Sequence, residues 1–223
     1  MGGFNLIKYF NDGGPMMYPL LLLSILALMF MIERIVMLIS VKRKVSPADF
    51  MTKMDEVLQK ESDKGKAAEE LTAFCKERGG PVSEVMLEGL SKYKETVVNN
   101  LTLIESKEWI NKAVEEKGAV EVPTLEKHLS VLSTVAMVSP LCGLLGTVTG
   151  MIKSFSIMAQ SAGGAKPDEL AGGISEALIT TATGLIIAIP TLLVYNYLRA
   201  TVDNMVLEME EVAMLLTDNL IRK

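Results

Sequence analysis

Charged side chains are absent from three stretches of the chain, residues 13–32, 129–152 and 177–198, and crowd most of the remainder. The stretches hold 20, 24 and 22 residues. At about 1.5 Å per residue, twenty helical residues span roughly 30 Å, the thickness of a bilayer hydrocarbon core. Helices and closed barrels are the structures that satisfy their own backbone there. Three transmembrane helices follow, because a helix buried in a soluble domain rarely needs twenty charge-free positions.

The first stretch contains Tyr18-Pro19 followed by Leu20-Leu21-Leu22-Leu23-Ser24-Ile25-Leu26, and the apolar pattern continues past the pair Glu33-Arg34 to end at Lys42-Arg43-Lys44. Its basic residues follow the span, the wrong polarity for a cleaved leader. The pattern predicts an uncleaved anchor with its N-terminus outside, a second span running outward and a third running inward to Arg199. Lys153 sits near the outer end of the second, where its stem can reach the headgroups. The resulting organisation is an N-terminal outer or interfacial segment (1–17), a first span (18–41) and a cytoplasmic helical domain (42–127). A second span (128–158), an outer loop (159–169), a third span (170–198) and a cytoplasmic amphipathic C-terminal helix (199–223) follow.

Residues 42–127 carry 15 basic and 17 acidic side chains, too many for a simple linker. Ser46-Pro47-Ala48-Asp49 reads as a helix start, with Phe50, Met54, Val57 and Leu58 at helical spacing. Ala67, Leu71, Phe74 and Cys75 repeat that spacing before Gly79-Gly80-Pro81 ends it. Val82, Val85, Met86, Gly89, Leu90 and Tyr93 suggest a third helix and Thr96–Lys117 a fourth. No run alternates with period two, which argues against strands. Pro123 can open a helix that continues unbroken through His128 into the second span. Beyond Arg199, Val202, Met205, Met209, Val212 and Leu216 extend the third span as an amphipathic rod, their side chains reading as packing positions.

Composition sharpens this picture. A chain of 223 residues that is 49% hydrophobic but 5% aromatic draws its apolar character from aliphatic residues and Met. Two cysteines, Cys75 and Cys142, fall on the charged domain and mid-span and predict no disulfide; one histidine cannot build a histidine metal cluster. A net charge of -5 argues against nucleic acid as a main partner. Neither a His-Glu-x-x-His, a Gly-x-Ser-x-Gly nor a phosphate-loop motif is present, so no enzyme is expected and no cofactor.

The second and third spans contain what a plain anchor lacks. The second carries Ser133, Thr134, Ser139, Pro140, Gly143, Gly146, Thr147, Thr149 and Gly150; the third carries Glu176, Thr180, Thr181, Thr183, Gly184, Pro190 and Thr191. Gly146 and Gly150 form a small-xxx-small pair that lets two backbones approach, and hydroxyls can bond carbonyls one turn back. Gly143, Gly184, Pro140 and Pro190 belong to the same packing set, each proline also removing one helical hydrogen bond. On a helical wheel Glu176, Thr180, Thr183 and Ile187 share one stripe, and Ala177, Thr181, Gly184, Ala188 and Thr191 the adjoining one. If the helix begins at Pro167-Asp168-Glu169, Glu176 lies about 13 Å below its start, where a charged acid is costly. If it begins at Gly172-Gly173, Glu176 merely complements the helix dipole at the interface. Both readings stand on the sequence.

At these residues the sequence resembles the MotA/TolQ/ExbB proton-channel family, its TolQ/ExbB branch above all. The resemblance is carried by Gly143-Leu144-Leu145-Gly146-Thr147-Val148-Thr149-Gly150 with Ser154-Phe155, and by Gly173-Ile174-Ser175-Glu176 through Gly184-Leu185, Ala188-Ile189-Pro190 and Tyr195-Asn196. Gly13-Gly14-Pro15, Pro19 and Glu33-Arg34 resemble the family's opening segment. The resemblance implies an all-α integral membrane protein of the bacterial inner membrane, N-terminus periplasmic, assembling as a homopentamer around a central pore. It implies a dimeric, single-span TolR/ExbD-like partner that brings an intramembrane acid, with a TonB/TolA-like protein and lipids as further partners. Thr147, Thr181 and Glu176 match the family's ion-path positions; Thr180 and Thr183 are further hydroxyls beside them.

The residues themselves ask for such an assembly. One deep carboxyl per chain cannot both hold and relay ions across a membrane, and hydroxyls do not titrate at neutral pH. The function expected is a channel subunit of a motor driven by the proton motive force, which energises envelope or outer-membrane processes such as TonB-dependent-type transport. The alternatives are a passive membrane scaffold and a sodium-driven or gliding-type motor subunit.

Overall fold

The computed structural model describes residues 6–44, 47–61, 63–160 and 167–221. All regular elements among them are helices: α1 Leu6–Asp12, α2 Met17–Lys44, α3 Pro47–Lys60, α4 Lys64–Arg78, α5 Pro81–Val98, α6 Leu103–Glu126, α7 Leu129–Gln160 and α8 Pro167–Ile221. Three of them are long and apolar enough to cross a membrane, over Met17–Val41, Leu129–Gln160 and Leu170–Leu220. The chain divides into two compact units, one comprising residues 1–34 and 128–198, the other 35–127 and 199–223.

In the first unit the usual distribution is inverted. Leu22, Ile25, Leu28, Leu141, Leu144, Ile186 and Leu193 are exposed, while Ser139, Ser154, Thr180 and Thr191 are buried. Apolar side chains gain nothing by facing inward when lipid surrounds them, so small and hydroxylated residues take the helix contacts instead. Each buried hydroxyl finds a carbonyl: Ser139 donates to Val135 O at 2.7 Å and Thr191 to Ile187 O at 2.7 Å.

The second unit has an ordinary globular core. Phe50, Met54 and Val57 of α3, Leu71 and Cys75 of α4, Met86 and Leu90 of α5, and Ile110 of α6 are buried with Val202, Met205, Met209 and Leu216 of α8. Ion pairs tie neighbouring helices at the surface: Lys53 to Glu70 at 3.3 Å, Lys117 to Glu84 at 3.4 Å, and Lys107 to Asp218. Burial pushes the Cys75 thiol up to about 12.

Several boundaries differ from the sequence reading. The helix expected from Pro123 into the second span is broken: Pro123 lies inside the last turns of α6, Lys127 leaves the helix with ψ 137°, and His128 takes φ +63° before α7 begins at Leu129. The fourth helix of the charged stretch begins at Leu103, not Thr96. Thr102 and Glu105 form a capping box there, the Thr102 amide donating to Glu105 Oε2 at 2.9 Å. The Thr102 hydroxyl, which donates to the same oxygen at 2.7 Å, and that amide hold the Glu105 carboxyl below its usual range. Ser46, read as a cap, lies outside the described residues, as do residues 161–166 of the expected loop.

Candidate functional site

The polar residues of the second and third spans come together along a close seam between α7 and α8. Gly143, Gly146, Gly150 and Ser154 face it from α7, and Gly173, Ala177, Thr180, Gly184 and Ala188 from α8, all of them buried. A Cβ at Gly184 would sit 2.5 Å from the Ser139 carbonyl oxygen, and one at Gly146 would be 2.6 Å from Thr180 Cβ. These glycines are needed because another backbone or a branched side chain occupies the space. A direct bond crosses the seam: the Thr181 hydroxyl donates to the Gly143 carbonyl at 3.1 Å. Pro140 and Pro190 lie inside α7 and α8, which run through them.

The seam draws on both of the stripes that the wheel placed side by side, and splits each between buried and flanking positions. Thr180 is 1% exposed, and its hydroxyl donates to the carbonyls of Ala177 (2.9 Å) and Glu176 (3.2 Å). It therefore packs between the helices of its own chain. Thr181 and Glu176, five residues apart and so about 140° apart around the helix, leave the seam on opposite sides. Thr147 is half-buried and donates to Leu144 O at 2.6 Å; Thr183 is half-buried and donates to Ile179 O at 2.8 Å. A hydroxyl that gives its proton to a carbonyl turns its lone pairs outward, where they can accept from water or contact a cation.

α8 begins at Pro167, so Glu176 stands well inside the helix and not in its first turn. Its carboxyl meets two other elements. Lys153 of α7 places Nζ 2.7 Å from Oε2, and the turn at Gly14 lies against Oε1 so closely that any side chain there would overlap it. Gly14 also has φ +67°, a conformation that glycine adopts without strain. The Glu176 side chain is 14% exposed and that of Lys153 60%.

At the other end of α7 a second polar group forms. His128 Nδ1 is 2.9 Å from Glu33 Oε2 and 3.3 Å from Arg34 Nη2, and its ring packs 4.9 Å from that of Phe30. Arg34 is buried and pairs with Glu33 at 2.9 Å. The histidine's left-handed backbone turns its ring onto this pair.

Neither Lys153 nor His128 was assigned a site role from the sequence. Lys153 could have been found by asking which basic residue lies at the same height as Glu176 on an antiparallel neighbour. His128 gave no such signal, because its place depends on the helix break. In the second unit a groove of about 590 Å³, lined by Asn111, Glu115, Gly118, Val206, Met209 and Glu210 among others, includes none of the expected site residues. Among the described residues no cluster of His, Cys, Asp and Glu could hold a metal ion.

The model of the MotA/TolQ/ExbB proton channel family matches residues 79–211. An ExbB-like biopolymer transport protein of Synechocystis is 33% identical over 197 residues, covering 86% of this chain and 70% of that protein. A second Synechocystis ExbB-like protein is 44% identical over 89 residues, 40% of this chain and 42% of that protein. The Tol-Pal system protein TolQ of Haemophilus influenzae is 45% identical over 86 residues, 37% of this chain and 36% of its own length. The matches to these last two thus span less than half the length of either relative.

Proposed function

The chain belongs to the MotA/TolQ/ExbB proton channel family, in its TolQ/ExbB branch, and from that premise we propose that it is the channel subunit of an inner-membrane motor driven by the proton motive force. Five copies surround a pore lined by α7 and α8, the N-terminus periplasmic and the charged unit cytoplasmic. The pore encloses the single spans of a dimeric TolR/ExbD-like partner. Protons passing down their gradient neutralise the partner's acid in turn, and the relative motion that follows does work on a TonB/TolA-like protein and an envelope process. One charge crossing 100 mV supplies about 2.3 kcal/mol, so each mechanical event draws on several protons.

The observation that carries this reading is a nearly buried carboxyl, Glu176, deep in an apolar helix whose neighbouring surfaces offer hydroxyl oxygens at Thr147, Thr181 and Thr183. An acid in such a place is costly, and a plain anchor has no use for it. Thr147 and Thr181 stand on one flank of the seam and Glu176 and Thr183 on the other. A ring of copies brings opposite flanks of neighbouring chains together, so that a path can draw on both. Thr180, Gly143, Gly146, Gly150 and Gly184 serve the path indirectly, by holding the two helices at their close spacing.

Replacement of Glu176 or Thr181 by Ala tests the assignment in cells that depend on the complex. Energised function should be lost in each variant while the assembly still purifies intact. Normal function in both would overturn the ion-path assignment.

A further inference from the structure

Lys153 is a basic residue on an apolar helix, and its ammonium is spent on the one carboxyl that the proposed function places in the ion path. The two partners are unequally held. Glu176 is largely buried on α8, with the Gly14 turn packed against Oε1; Lys153 is a long, mostly exposed side chain whose Nζ lies 2.7 Å from the other oxygen, Oε2. A cation approaching Oε2 meets the Lys153 ammonium there and displaces it only when the lysine stem swings away. Movement of Lys153 costs little, since its flexible stem stands largely clear of the protein; Glu176 is the more enclosed partner, with the Gly14 turn against one side of its carboxyl.

We propose that Lys153 is a positioning residue that locks Glu176, competing with the transported cation for Oε2 so that the carboxyl enters the ion path only when the ammonium withdraws. The inference rests on the reading of Glu176 as an ion-path residue and adds to it a gate supplied by the same chain. Arg at 153 would keep the charge and grip the carboxylate through a planar fork, whereas Met would keep the stem's bulk and remove the charge.

The test uses the purified full chain in lipid nanodiscs, treated with the hydrophobic reagent dicyclohexylcarbodiimide, with adduct at Glu176 followed by peptide mass spectrometry. Glu176 should be modified about fivefold faster or more in Lys153→Met than in the wild type, at the wild-type rate or slower in Lys153→Arg, and not at all in the Glu176→Gln control. Equal rates in wild type and Lys153→Met would overturn the lock while leaving the ion-path reading untouched, because labelling needs neither partner nor gradient. A second arm measures gradient-driven proton flux of the full complex in liposomes. Lys153→Met should raise flux severalfold and Lys153→Arg restore or lower it; unchanged flux beside accelerated labelling would reduce the pair to a structural contact and overturn the gating role. If Glu176→Ala leaves energised function intact, the underlying reading itself fails, a result that neither arm can mimic.

Discussion

Gly14 lies against the carboxyl of Glu176, so that the turn before α2 packs on one of its two oxygens, Oε1. The contact joins the start of one span to the interior of another, and it leaves Lys153 on the other oxygen. Gly14→Ala should therefore do two kinds of harm. The left-handed φ costs an L-residue roughly 1–2 kcal/mol, and the new methyl must push Glu176 aside. Thermal unfolding in detergent should occur at a lower temperature than for Gly172→Ala, whose Cβ would meet nothing within 4 Å.

The three apolar windows were legible in the sequence because twenty charge-free residues have few other physical uses. The glycine register at 143, 146 and 150 was legible too, since small residues at helical spacing have meaning only against a second backbone. The division of the polar stripe was not. Thr180 and Thr181 are adjacent, and only the packing direction of α8 sends the first into the seam and the second to its flank. The break at His128 was hidden for a similar reason: Lys127 and His128 carry no helix-stopping chemistry, and the turn is supported by Glu33 and Arg34, far away in the chain. The capping box is legible in the sequence, as a hydroxyl at Thr102 three residues before the acid Glu105.

The seam predicts a contrast between two glycine replacements. Gly184→Ala places a methyl 2.5 Å from the Ser139 carbonyl, a backbone atom that cannot move alone, and should separate α7 from α8. Gly118→Ala in α6 meets nothing within 4 Å and should stabilise its helix by about 0.5–1 kcal/mol. Unfolding midpoints in detergent, lowered for the first and raised or unchanged for the second, check both.

Cys75 should be inert to maleimide in the folded protein at pH 8, because burial raises its thiol to about 12 and leaves almost no thiolate. Labelling should appear only on unfolding. Rapid labelling of Cys75 in the native state would mean that the core of the second unit opens readily.

The start of α6 should loosen in acid. Glu105 is held below its ordinary value by Thr102, so its contribution is complete above about 4.5 and fades as pH falls through the lowered folded value. Amide exchange at residues 103–106 should accelerate, relative to the intrinsic rate, below that pH in the wild type. In Thr102→Ala it should already be fast at pH 6, with little further dependence on acid.

Proton flux in liposomes tests the central claim most directly. The purified chain, reconstituted with its TolR/ExbD-like partner, should conduct protons down an imposed gradient, conduct far less without the partner, and lose that flux on Glu176→Ala or Thr181→Ala. A complex that assembles fully and yet passes no partner-dependent protons under any gradient would contradict the account and leave the chain a passive scaffold.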